Sequence, residues 1–163
     1  LAGKVTQESY TMSRLLAFDF ADDARVHDIK DEFMFGPAFL VCPVTRPMYY
    51  DKGSVALQGV EKTRTVSLPE GTDWVDFWSG KKYRGGRDVK ADAPIDKIPL
   101  FVRQGSIVPM GPVVQHTGEL SGKELTIVVY PGRDAIWRIS KGLRRKDVRE
   151  KRSAFENIRK NKL

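Results

Sequence analysis

Apolar and polar positions along this chain fall into short runs separated by Gly and Pro. From Thr63 to Leu68 they alternate: Thr63, Thr65 and Ser67 share one face, and Arg64, Val66 and Leu68 the other. A period of two predicts a strand with one face buried. Ala38 to Val44 is instead a continuous apolar run of strand length, which predicts a strand buried on both faces. Further strands are expected over Thr11–Phe20, Trp74–Trp78, Arg87–Ala91, Ile98–Val102 and Glu124–Tyr130. Asp31 to Gly36 reads as a short apolar turn or helix ended by Gly-Pro. Residues 1–10 read as the last turns of a helix. Turns are expected at Pro69–Thr72, at Ser79–Lys82 leading to Tyr83, at Gly85-Gly86, and at Gly105-Ser106 before Ile107-Val108-Pro109. No amphipathic helix stands out before residue 140, and there is no internal repeat. Short strands about ten residues apart, with Gly and Pro turns, predict an all-β antiparallel sandwich.

Charge changes the picture only at one end. The net charge of +7 is an average. From Arg138 onward there are 11 Lys and Arg against 3 Asp and Glu, while residues 1–137 carry 17 against 18. The basic character belongs to a tail, so an argument from charge to nucleic acid applies to that tail alone. The tail holds few aromatics and no nucleic-acid motif, which argues against nucleic acid as a partner. No run of about 18 apolar residues exists, so no membrane-spanning helix is expected. The opening LAGKVTQESY lacks the pattern of a signal peptide, and the compartment is left open.

Candidate chemistry is sparse. Cys42 is the one cysteine and sits in the apolar run, where a small buried hydrophobe is the expected role. His27 and His116 lie in no ligand spacing, so no metal is expected. No Gly-rich stretch runs into Lys-Ser or Lys-Thr, so there is no phosphate loop. Asp19, Asp22, Asp23, Asp28, Asp31 and Glu32 form an acidic cluster, read as turn formers and solvated charges rather than an acid–base pair. Asp31, which precedes an apolar segment, is the exception to watch. Trp74, Trp78 and Tyr83 are read first as core, with sugar stacking as the competing role. Tyr49 and Tyr50, in the loop after Pro47, are the aromatic pair most suited to touch sugar or a neighbour.

Three segments together carry a resemblance: Asp31–Val44 (DEFMFGPAFLVCPV), Leu68–Lys81 (LPEGTDWVDFWSGK) and Ile98–Pro109 (IPLFVRQGSIVP). In this order and spacing they resemble the region that follows the catalytic barrel in glycoside hydrolase family 31, over about residues 1–134. The resemblance implies a β-sandwich that supports the catalytic barrel of a retaining, exo-acting α-glycosidase, an α-xylosidase or α-glucosidase. It implies residues 1–10 as the end of a barrel helix and 11–115 as the proximal C-terminal sandwich. It further implies 116–140 as the start of a truncated distal β domain, leaving 141–163 as a basic tail atypical of the family. The partner implied is the (β/α)8 barrel, with carbohydrate reached only through it. Asp31 and Phe33 are the residues expected to face that barrel. Retaining hydrolysis uses two carboxylates about 5–5.5 Å apart and no cofactor. In the family both lie upstream of these segments, so no catalytic residue is assigned and the chain alone is expected to be inactive.

The tail departs from the family after Gly132, where an acidic, aromatic strand usually follows. A frameshifted segment, a polyanion-binding tail and a solvated end are the competing readings. Against the scaffold reading stands a stand-alone carbohydrate-binding module, which predicts sugar binding through exposed Trp or Tyr.

Overall fold

The computed structural model describes residues 1–120 and 122–132. The expectations placed on the basic tail at 141–163, and on most of its approach, lie outside the described residues.

Two antiparallel layers build the body. The larger is a six-stranded sheet in the order β1-β2-β3-β8-β5-β6. Its strands are β1 (Ser13–Leu15), β2 (Phe33–Phe35), β3 (Phe39–Val41), β5 (Asp73–Asp76), β6 (Lys82–Arg84) and β8 (Leu100–Arg103). The smaller is the pair β4 (Thr63–Leu68) and β7 (Arg87–Asp92). The chain leaves the large sheet after β3 to make β4, returns for β5 and β6, leaves again for β7 and re-enters at β8. That exchange between layers defines a sandwich. A third pair, β9 (Ile107–Met110) with β10 (Thr126–Val129), extends from the end of β8. Its members lie on either side of residue 115 and are joined to the loop after β8 by reciprocal bonds, Gly105 N to Tyr130 O and Tyr130 N to Ser106 O, each 2.9 Å.

The core lies between the two layers. Met34, Leu40 and Phe101 follow one another across β2, β3 and β8 on the inner face. Val66, Leu68 and Ala91 meet them from β4 and β7. Trp74 is fully buried and donates its indole N–H to Pro69 O at 3.0 Å, so its one polar atom is satisfied. Each large side chain so enclosed contributes about 1.5–3 kcal/mol.

The strand expected over Thr11–Phe20 is cut short. β1 stops at Leu15, and a single helical turn, α2 (Leu16–Asp19), follows. The turn places Leu16 and Phe20, four residues apart, on the same side, and both are buried in the core. A continuing strand would have turned them to the same face too, but with Phe18 between them on that face; Phe18 is exposed instead. Asp31–Gly36 is also corrected: Phe33–Phe35 is a strand, and Gly36, at φ 61°, turns the chain directly into β3. The run Ala38–Val44 supplies a central strand as expected, though only its inner face is completely covered. The segment expected at Trp74–Trp78 ends as a strand at Asp76, whose Oδ1 accepts from Trp78 N and Ser79 N and bends the chain. Residues 1–10 contain the helix α1 (Ala2–Glu8), none of whose residues is buried.

Candidate functional site

The outer face of the large sheet is an apolar ladder. Strand register aligns Leu15, Phe33, Val41 and Leu100 in one rung, and Phe35, Phe39, Val102 and Val75 in the next. Val75 and Val102 are buried, but coverage fails toward β1: Leu15 is 54% exposed and Phe35 40%. Phe33, a predicted barrel-facing residue, stands in this ladder and is half-buried. Contiguous exposed apolar surface of this kind is a general mark of interaction sites.

Asp31, the other predicted brace, is not on that face. It stands at the mouth of a polar cleft of about 370 Å³, lined by Asp31, Val44, Thr45, Arg46, Met48, Thr63, Arg64 and Thr65. Arg64 comes from β4, at a position that shares its face with Val66 and Leu68, so its guanidinium is carried into the protein. There its Nη2 lies 3.1 Å from both Asp31 Oδ2 and Glu32 Oε1, and its Nη1 donates to Pro43 O. Glu32 Oε1 also accepts from Ser67 N at 3.1 Å. Burial pushes the Glu32 carboxyl above its usual range, against the pull of Ser67 N–H and Arg64. Glu32 Oε2 and Arg64 Nε, both buried, have no protein hydrogen-bond partner among the described residues. Cys42 is buried nearby, and burial, with the charge of Glu32 adding to it, pushes its thiol well above the ordinary value.

The acidic cluster is therefore not uniformly solvated. Asp22 and Asp28 are exposed, but Asp23 and Glu32 are buried. Asp23 accepts from Arg25 Nη2 at 2.6 Å, from Arg25 N at 3.1 Å and from Glu70 N at 2.9 Å, tying the loop after α2 to the turn after β4. Sequence reasoning missed this staple and the Glu32–Arg64 pair. For the pair a signal existed: a charged residue at a buried parity of an alternating strand demands a buried counter-charge.

The four aromatic candidates are dispersed. Trp74 is in the core and exposes no ring face. Trp78 is 49% exposed, with its indole N–H bonded to Ile98 O at 2.8 Å and Phe77 edge-on at 5.0 Å. Tyr49 is half-buried beneath Lys62, whose Nζ lies 4.4 Å from the ring centre, and its hydroxyl points to Ala93 O. Tyr50 is exposed and pairs through its backbone with Ala56. Among the described residues no group of His, Cys, Asp or Glu is arranged to hold a metal ion, and no helix is long and apolar enough to cross a membrane.

These features define a class: an antiparallel β-sandwich with a finished core between its layers and a partly exposed apolar outer face. The chain belongs to glycosyl hydrolase family 31, of which residues 9–108 match the C-terminal domain. It is 35% identical over 130 residues to an α-xylosidase of Saccharolobus solfataricus, covering 80% of this chain and 16% of that protein. It is 35% identical over 116 residues to an isomaltosyltransferase of Sporosarcina globispora, covering 71% of this chain and 9% of the relative. Among solved structures, a family 31 α-xylosidase from Xanthomonas citri superposes with a TM-score of 0.70 at 45% identity, over 81% of this chain and 13% of that one. The chain thus spans about a sixth or less of the relatives it matches, and within them it corresponds to the C-terminal domain, not the catalytic barrel.

Proposed function

We propose that this chain is the non-catalytic supporting sandwich of a retaining, exo-acting α-glycosidase acting on α-xylosides or α-glucosides, and that its outer sheet face seats the catalytic (β/α)8 barrel. The observation that carries the reading is the half-covered ladder of Leu15, Phe33, Phe35, Phe39 and Val41, opposite a finished core. Leaving such a surface in water forfeits about 25 cal/mol per Å² of what burial would yield. A barrel placed there recovers it and holds the sandwich in a fixed orientation. The chemistry then belongs to the barrel, whose two carboxylates attack the anomeric carbon and protonate the leaving oxygen.

On this reading α1 is the end of a barrel helix. Two features support it: α1 buries none of its own residues, and Leu1 lies against Gly36 at the turn between β2 and β3, on the hairpin that bears Phe33 and Phe35. Residues 11–115 are the sandwich, 116–140 open a distal β domain, and 141–163 are a tail outside the family pattern. The test begins with the DNA on both sides of this reading frame. An adjoining frame for a barrel with two catalytic carboxylates is expected. Co-expressed, the barrel should co-purify with the chain and hydrolyse an aryl α-xyloside or α-glucoside, the chain alone should not, and Phe35→Asp should abolish co-purification. Turnover by the chain alone, or no barrel frame in the flanking DNA, overturns the reading.

A further inference from the structure

The polar cleft beside β4 has the makings of a ligand site that the support role does not use. β4 pairs with β7 on one side only. In that ladder Lys62 O accepts from Ala93 N, so the even-numbered positions bond toward β7. Thr63, Thr65 and Ser67 occupy the alternate positions, and their backbone N–H and C=O groups point away from β7. Ser67 demonstrates the direction by donating its N–H to Glu32. The corresponding groups of Thr63 and Thr65 face the open edge, where the cleft lies.

The wall across from that edge is the segment after β3: Val44, Thr45, Arg46 and Met48. Asp31 stands between the walls, its Oδ2 held by Arg64 Nη2 at 3.1 Å and by Thr45 Oγ1 at 3.3 Å. Arg46 and Arg64 are balanced by Asp31 and by Glu32 behind it, so the formal charge of the four is zero. This lining favours neither an anion nor a cation. It offers alternating donors and acceptors (a carboxylate, the Arg46 guanidinium, three threonine hydroxyls and a strand edge) next to the apolar side chains of Val44 and Met48. Vicinal hydroxyls match such alternation, because each O–H donates to a carboxylate or carbonyl while its oxygen accepts from a guanidinium or amide. The C–H face of a sugar ring matches the apolar patch.

We propose that this cleft binds a neutral pyranose through a pair of adjacent hydroxyls, with Asp31 as acceptor, Arg46 as donor, and the hydroxyl and β4 edge at Thr65 completing the contact, while the buried Arg64 holds Asp31 in place. The preference for a pyranose over other polyols rests on the glycosidase reading, and the cleft itself does not.

The test is titration of the isotope-labelled 163-residue chain with xylose, with isomaltose and with sodium sulfate, followed by backbone amide shifts. Saturable shifts in the millimolar range, concentrated at Thr45, Arg46, Thr63 and Thr65 and produced by a sugar but not by sulfate, are expected. Thr65→Val, an exposed isosteric change on a strand, should weaken binding about threefold to tenfold with an unchanged unfolding midpoint. Arg46→Ala should weaken it likewise. Shifts centred on Trp78 or Tyr50, binding of sulfate in place of sugar, or no saturation by either sugar overturns the proposal. None of those results bears on whether a barrel docks on the opposite layer, which co-purification decides separately.

Discussion

Glu32 Oε1 and Arg64 Nη2 stand 3.1 Å apart with side chains only 3% and 8% exposed, and they join the two layers of the sandwich. Glu32 precedes β2 in the large sheet, while Arg64 and Ser67, which also bonds Glu32, belong to β4 in the small one. A buried pair costs several kcal/mol in desolvation per ion; removing Arg64 leaves Glu32 without its counter-charge, whereas removing Glu32 leaves Arg64 paired with the half-exposed Asp31. Arg64→Ala is expected to destabilise the fold by about 3–5 kcal/mol, and Glu32→Ala by less, because Asp31 still faces the guanidinium. The double replacement Glu32→Leu with Arg64→Met should cost less than either single change. Urea unfolding of the three variants checks this order.

Asp23 couples stability to acid. Burial alone pushes its carboxyl up, but the Arg25 side chain and the N–H groups of Glu70 and Arg25 outweigh burial and hold it below its ordinary value. A carboxylate held low contributes stability that is complete above its unfolded pKa, about 3.9, and is lost as pH falls through the folded value. Glu32, held above its ordinary value chiefly by burial, has the opposite slope: its ionisation costs stability as pH rises from the unfolded toward the folded value. Unfolding free energies measured from about pH 6 down to about pH 2.5 should fall less steeply in Asp23→Asn than in the parent, and more steeply in Glu32→Gln.

The outer face should reveal itself without a partner. Leu15→Thr and Phe35→Thr keep strand-forming residues at exposed positions. Fluorescence of a hydrophobic dye bound to the chain should drop markedly in the double variant. The unfolding free energy should fall by only about 1–2 kcal/mol, since each side chain is about half covered. An unchanged dye signal would show that the apolar ladder is covered in solution.

Two glycines should respond differently to the same change. A Cβ at Gly85 would lie 2.1 Å from Thr72 O and 2.3 Å from Pro69 O, both backbone atoms of the turn between β4 and β5. Gly80, at φ 71°, meets nothing within 4 Å. Gly85→Ala is expected to cost about 2–3 kcal/mol or more, because backbone must move. Gly80→Ala should cost only about 1 kcal/mol, the conformational term alone. Thermal melts of the two variants side by side settle the difference.

Much of the fold was legible from local pattern. The alternation at Thr63–Leu68 specified β4 and its buried parity, and the apolar run around Leu40 specified a central strand, because these depend only on which neighbours in sequence share a face. The helical turn at Leu16–Asp19 was not legible. Its apolar residues suit either conformation, and the choice was made by the core volume that Leu16 and Phe20 fill. The candidate site divided in the same way. Phe33 falls on the outer face by parity, whereas Asp31 is drawn from that face toward Arg64, which lies 33 residues further along the chain.

The sequence by itself determined the all-β class, the positions of most strands and turns, and the family, since these rest on periodicity, turn chemistry and ordered motifs within contiguous segments. Only the tertiary structure decided which charges are buried. The pairing of Asp31 and Glu32 with Arg64, the stapling of Asp23 to Glu70, and the cleft left at the open edge of β4 all join residues distant in sequence. Burial is a property of what the rest of the chain places around a residue. An acidic cluster that reads as solvated in one dimension therefore divides, in three, into exposed turn formers and charges whose partners come from the opposite layer.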